Sequence, residues 1–246
     1  MAKRKKKKKL KIKWNRIFIA LVVIGALSFG IYKSLHFAYE KAVSFIDNLF
    51  GEEEPIKEIN HDDDIATVII DPGHGGPDAG TSKGDLLEKD ITLQTSLYLQ
   101  EELEELNIHA VLTRTEDTNL DNNKIKDLDL RAQMSAEYDA TYFVSIHVNA
   151  FEGKSNIYGF EAYIEDDESR ALAESILNQL DETEISMTRG IIEGHRLQVL
   201  RNNTVPSTLI ELGYINSQDY DYLSQDDQRL IIAKAIAKGI ANQITQ

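Results

Sequence analysis

The chain has 246 residues, 42% of them hydrophobic, no cysteine and a formal net charge of -14, a composition suited to a globular body with a real core. The absence of cysteine excludes disulfides, thiolate-held zinc, c-type haem attachment and thiol catalysis together. Charge is unevenly spread: residues 1–16 hold ten of the 27 Lys and Arg and no acid, leaving 17 basic against 41 acidic residues in the remainder, which argues against nucleic acid as a partner.

Directly after the basic head, Ile17 to Tyr32 is an uncharged run of sixteen residues preceded by Trp14. With Lys11, Lys13 and Arg16 snorkelling, it approaches the roughly 20 residues that a membrane helix needs. We read 1–16 as a cytoplasmic basic tail and 17–32 as a single-pass transmembrane signal anchor, with everything beyond it outside the membrane by the positive-inside rule. Cleaved secretion, with small residues at Ala26-Leu27-Ser28, is the alternative; the apolar run continuing to Tyr32 favours retention. Apolar residues at helical spacing (Leu35, Ala38, Ala42, Phe45, Ile46, Leu49) predict a juxtamembrane helix over 33–50, and the acid-rich stretch 51–64 reads as a solvated linker.

A folded domain over 65–246 follows. Thr67 to Ile70 predict a buried strand that stops at Asp71, because Pro72 and the glycines around His74 cannot continue it. Helical spacing then predicts helices over 89–106, 128–138, 168–180 and 228–244, and β-branched or aromatic runs predict strands over 110–113, 142–148, 160–164, 197–200 and 207–212. Residues 183–195 carry no clear pattern and are read as a candidate lid. The alternation predicts an α/β domain with a mostly parallel central sheet of about six strands and helices on both faces.

Four polar residues stand out within this plan. His74 lies just beyond the carboxyl end of the first strand, where open α/β sheets place their sites. His147 sits inside the buried strand 142–148, where leaving it unsatisfied would cost about 1–3 kcal/mol. Glu88 stands at the mouth of a helix and Glu211 within an apolar run. Singly, each has an ordinary explanation: a first-turn carboxylate favoured by the helix dipole for Glu88, a backbone-bonded core imidazole for His147, half of a buried ion pair for Glu211. Jointly they supply the His, His, Glu ligand set of a catalytic zinc site with one carboxylate to spare. There is no His-Glu-x-x-His helix and no Gly-x-Ser-x-Gly elbow, and Thr81 stands where a P-loop needs its lysine.

From Ala66 onward the chain resembles the zinc-dependent N-acetylmuramoyl-L-alanine amidases of the amidase-3 family. The blocks that carry the resemblance are Ile-Ile-Asp-Pro-Gly-His-Gly-Gly at 69–76, Glu88, Leu-Thr-Arg at 112–114 with Asp117, Leu130-Arg131, Ser-Ile-His-Val-Asn-Ala at 145–150, Arg189-Gly190-Ile191, Val199-Leu200-Arg201 and Ile-Glu-Leu-Gly-Tyr-Ile-Asn-Ser at 210–217. The departures are Tyr214 where Phe is usual and Ser217 where Asn is common. The resemblance implies a phosphorylase/hydrolase-like fold, one zinc per chain on His74, Glu88 and His147, and Glu211 as the catalytic glutamate. Asp71, Asn149 and Arg201 become candidate substrate-facing or supporting residues.

It also implies a membrane-anchored enzyme that removes stem peptides from peptidoglycan, with a regulatory protein partner left open. Other zinc amide hydrolases, such as carboxypeptidases with a His-x-x-Glu pair, fit less well, because the first Glu after His74 is fourteen residues on. A catalytically silent wall-binding domain would have no need of four intact site positions. Some division amidases of the family carry a long insertion that covers the zinc. Here only eleven residues separate His147 from Gly159, too few for such a helix with its connections, so an open site is expected.

Overall fold

The computed structural model describes residues 65–245, apart from 152, 154–156 and 194–196, together with Lys33 and Lys41. The expected basic tail, transmembrane anchor and acidic linker lie outside the described residues, as does the expected juxtamembrane helix except for Lys33 and Lys41, which are helical. Among the described residues no helix is long and apolar enough to cross a membrane.

In chain order the domain consists of β1 (Thr67–Pro72), a small hairpin of β2 (Ser82–Lys83) and β3 (Leu86–Leu87), α1 (Glu88–Glu105), β4 (His109–Leu112), α2 (Lys124–Glu137), β5 (Tyr142–Asn149), β6 (Phe160–Ile164), α3 (Arg170–Asp181), β7 (Thr188–Glu193), α4 (Gln198–Arg201), β8 (Ser207–Tyr214), α5 (Tyr220–Leu223) and α6 (Asp226–Ile244). Six strands form the central sheet in the order β4-β1-β5-β8-β6-β7. Only β6 against β8 is antiparallel. The expected mixed α/β plan with a mostly parallel sheet is therefore present.

Period two along β1 divides its side chains between two cores. Val68 and Ile70 pack with Ile91, Leu99 and Leu103 of α1, Leu172 and Ile176 of α3, and Ile232 and Ile236 of α6. Ile69 faces the other way, with Phe143, Leu209, Val199 and Leu200. Helices thus cover both faces. The chain leaves β1 towards β4 on one side and leaves β5 towards β6 on the other, so a crevice opens beyond the carboxyl ends of these two neighbouring strands.

Two expectations are corrected. Residues 197–200 are not a strand: Gln198 to Arg201 form α4. Leu-Gln-Val-Leu is too short to distinguish the two states, and here Gln198 donates its side-chain N–H to the Ile125 carbonyl and Asp129, which docks the segment on α2 as a helical turn. Residues 188–193 are the edge strand β7, parallel to β6, rather than a lid. Helix α2 also begins earlier than expected, because Asn123 caps it by accepting the Lys126 N–H at 3.2 Å.

A buried ion pair anchors the carboxyl end of β1. Asp71 accepts Thr113 Oγ1–H and Ser145 Oγ–H, each at 2.7 Å, and Arg131 Nη1–H at 2.9 Å. Arg131 also donates to Asp127, Pro72 O and His74 O, which ties α2 to the loop after β1. Burial works against the Asp71 charge, yet Arg131 and the two hydroxyls hold its carboxyl below the usual range. This contribution is complete above the unfolded carboxylate range near pH 4 and is lost as the pH falls through the lower folded value. Removing one partner of such a pair strands the other, so Arg131→Met should lower stability by about 3–5 kcal/mol in urea unfolding. Adding Asp71→Asn should recover part of that loss. A single-variant cost below about 1 kcal/mol would show that the pair does not anchor the loop.

Candidate metal centre

The loop after β1 is shaped by close approaches. A Cβ on Gly73 would lie 2.5 Å from the His147 ring, so only glycine lets the backbone pass over that imidazole. His74 follows at φ 63, in the left-handed region that side chains seldom occupy. It is kept there by Arg131 on its carbonyl and by the two backbone hydrogen bonds that Gly75 and Asp78 exchange. Gly80, at φ 66, leaves room for Glu88, whose Oε2 a Cβ would meet at 2.4 Å.

Glu88 opens α1 with a side chain only 4% exposed. Its Oε2 accepts the Thr81 N–H at 2.7 Å and its Oε1 the Val148 N–H at 2.9 Å. The same Oε1 lies 3.0 Å from His147 Nδ1 and 3.2 Å from His74 Nε2. The two imidazoles meet edge to face with centroids 5.0 Å apart. Burial opposes the Glu88 charge, but the His147 and His74 contacts prevail and hold its carboxyl well below the ordinary range. Burial likewise disfavours a charged His74, and Glu88 with Asp78 overcomes it and raises that imidazole.

Donor atoms of His74, Glu88 and His147 lie within 4.8 Å of one another. The set fits zinc: two imidazoles and a carboxylate are a common three-ligand combination, and tetrahedral bonds of about 2.0–2.1 Å place ligand atoms roughly 3.3 Å apart. The other His74 nitrogen, Nδ1, lies 3.0 Å from Asp78 Oδ1, a contact whose charge favours the protonated imidazole. His109 is elsewhere, 3.4 Å from Glu104.

Glu211 on β8 is registered opposite His147 on β5, so the two share a face of the sheet. Its Oε2 is buried and has no hydrogen-bond partner among the described residues. Burial first, then the carboxylates of Glu88 and Glu161, hold its carboxyl well above the ordinary range. An unpartnered carboxylate oxygen with the acids Glu88 and Glu161 nearby also suits a bound cation. Immediately beyond, the register slips so that Asn149 pairs with Tyr214, and Gly213, at φ 137 in this irregular part of β8, leaves no room for a Cβ under the Tyr222 hydroxyl.

The remaining expected residues separate. Asp71 is a buried support rather than a substrate-facing group. Asn149 stands beside the centre, its Nδ2 3.5 Å from Glu161 Oε2. Arg201 is exposed at the end of α4, next to Asn202, which bonds Asp129 of α2. Nothing among the described residues joins it to the cluster, because the segment is helical rather than a sheet strand. Sequence reasoning missed Glu161, which is buried in β6 and registered against Glu211. An acid within Phe-Glu-Ala-Tyr-Ile was the available signal.

The profile of the amidase-3 family, described as N-acetylmuramoyl-L-alanine amidase, matches residues 68–242. The chain is 31% identical over 193 residues to the germination-specific N-acetylmuramoyl-L-alanine amidase of Bacillus subtilis, covering 73% of this chain and 80% of that protein. It is 37% identical over 180 residues to the probable cell wall amidase LytH of Staphylococcus aureus, covering 71% of this chain but only 57% of the staphylococcal protein. Among solved structures, the CwlD amidase of Clostridioides difficile in complex with the GerS lipoprotein superposes with a TM-score of 0.68 at 30% identity, covering 73% of this chain and 98% of that one.

Proposed function

Because this chain belongs to the amidase-3 family of N-acetylmuramoyl-L-alanine amidases, we propose that it hydrolyses the amide joining N-acetylmuramic acid to L-alanine in peptidoglycan. In this reading His74, Glu88 and His147 hold one zinc ion and Glu211 is the catalytic acid and base. The observation that carries it is the convergence of three donor side chains beside an unpartnered carboxylate on the same sheet face. When bound, zinc supplies a Lewis acid for the carbonyl and brings the pKa of its water to about 7.

The chain's own groups do the rest. The Thr81 and Val148 N–H groups fix both oxygens of Glu88, and Arg131 on its carbonyl holds His74 in place. Glu211 Oε2 takes a proton from the attacking water and passes it to the departing alanine nitrogen. The water oxygen joins the lactyl carbonyl carbon, the C–N bond breaks, and the products are a lactyl carboxylic acid and a peptide with a free amine. Both histidine side chains are 20% exposed, which supports an open centre.

Residues 60–246 form a compact unit of their own, so a zinc-loaded 60–246 fragment is the material for the test. Incubated with purified cell wall and no added protein, it should yield glycan strands without stem peptides and peptides with free L-alanine amines, as read by mass spectrometry. Trimming at peptide carboxyl ends would favour a carboxypeptidase, and wall binding without products would indicate a silent domain.

The anchor reading places this activity on the outer face of the membrane, next to its substrate, and rests on the basic head followed by the apolar run 17–32. A protease added to intact cells should then release the domain through 51–64. Cleavage only after lysis would reverse the orientation. The lipoprotein found with the clostridial CwlD makes a protein partner a reasonable addition, one that would raise the turnover expected of the fragment alone.

A further inference from the structure

One row of registered residues crosses four strands: His147 on β5, Glu211 on β8, Glu161 on β6 and Gly190 on β7. Residues paired this way share a face, and strands lie about 4.8 Å apart, so Glu161 stands roughly 10 Å along the row from the metal ligand. The row ends on a glycine, and the residue before it is displaced. Phe160 pairs with Thr188 and Glu161 with Gly190, which leaves Arg189 as the extra residue of a bulge, with Gly190 at φ 105. Bulges of this kind re-aim a side chain.

Here the bulge brings Arg189 onto the row. Its Nε–H donates to Glu161 Oε1 at 2.5 Å and its guanidinium carbon lies 5.8 Å from the Tyr214 ring centroid. Glu161 is buried and accepts the Tyr214 hydroxyl at 2.8 Å on its other oxygen, so it serves as an anchor rather than a free charge. Arg189 remains 33% exposed. Its bond to Glu161 uses Nε; the Tyr214 hydroxyl lies beside the guanidinium, and among the described residues no other acid pairs with its Nη edge, whose planar fork matches a carboxylate.

The mechanism supplies the direction. Glu211 protonates the departing nitrogen and stands between the metal ligands and Glu161, so the peptide side of the scissile amide extends along the row towards Arg189. Building on the amidase reading, we propose that Arg189, held by Glu161, binds a carboxylate of the stem peptide and makes the enzyme prefer free-acid peptides over amidated ones.

The test uses two soluble muramoyl-peptides that differ only in having their peptide carboxyls free or converted to carboxamides. The zinc-loaded protein should favour the free acid roughly ten- to a hundredfold in kcat/KM, chiefly through KM, the scale of a hydrogen-bonded charge contact. Arg189→Gln, with zinc content and melting temperature matched to the parent, should lose that preference by slowing on the free acid while changing less than about threefold on the amide. Equal losses on both substrates would make Arg189 a structural residue, and a parent protein with no preference would overturn the proposal even if the variant failed to fold. Cleavage of neither substrate by the parent would instead sink the amidase reading.

Discussion

His147→Ala should leave the domain without zinc and without measurable amide hydrolysis, whereas His109→Ala should keep both. The three donor side chains converge on one point, with Glu88 Oε1 3.0 Å and 3.2 Å from the two imidazoles, and removing one ring leaves two ligands where zinc chemistry needs three and an open position. Disturbing a ligand's outer partner alone costs roughly 10- to 100-fold in affinity or activity, so loss of a ligand should exceed that. The fold should tolerate the change, since His147 lies at the rim of the sheet, 20% exposed. His109 begins β4 beside Glu104 and touches none of the three. Metal analysis of the purified variants decides the matter: full zinc in both, or loss in both, would mean that the centre lies elsewhere or that the variants had unfolded.

The centre was legible in the sequence because its residues break local rules. His147 is a titratable group in a buried strand, and His74 follows a strand end that proline and glycine terminate. The sheet was legible for the same reason that β1 is: unbroken β-branched residues buried on both faces. Glu161 escaped notice because Phe-Glu-Ala-Tyr-Ile alternates as a half-exposed strand does, a pattern in which an acid is ordinary. Sheet order decides otherwise, since β6 lies between β8 and β7 and its polar face turns to the site. β7 was hidden by Gly190 and by the polar residues that an edge strand carries. The strand expected over 197–200 failed because Leu-Gln-Val-Leu spans barely one helical turn, too short for either period to show. Both corrections turn on tertiary neighbours, α2 for 197–200 and β6 for β7, which only the assembled domain supplies.

Glu211→Gln should retain zinc while hydrolysis falls by roughly 10² to 10⁴, the usual worth of a positioned proton-transfer group. Glutamine keeps the size of the side chain and cannot carry the proton, and the three metal donors are untouched. A second consequence concerns stability and runs the other way. Burial, Glu88 and Glu161 raise the folded carboxyl well above its ordinary value, so the native state holds this proton more tightly than the unfolded chain does. With more protons bound in the native state, stability falls as pH rises from the unfolded carboxylate range near 4 through the raised value. The metal-free parent should therefore lose stability across that window relative to metal-free Glu211→Gln, which has no charge to bury there. Melting curves of the two metal-free proteins between pH 5 and 8 should diverge in favour of the variant, even though the variant is the poorer enzyme. Loss of zinc in Glu211→Gln would make the residue a fourth ligand and close the site to water. A variant less stable than the parent at every pH would instead make Glu211 a structural partner, with no excess of charge for a cation to relieve.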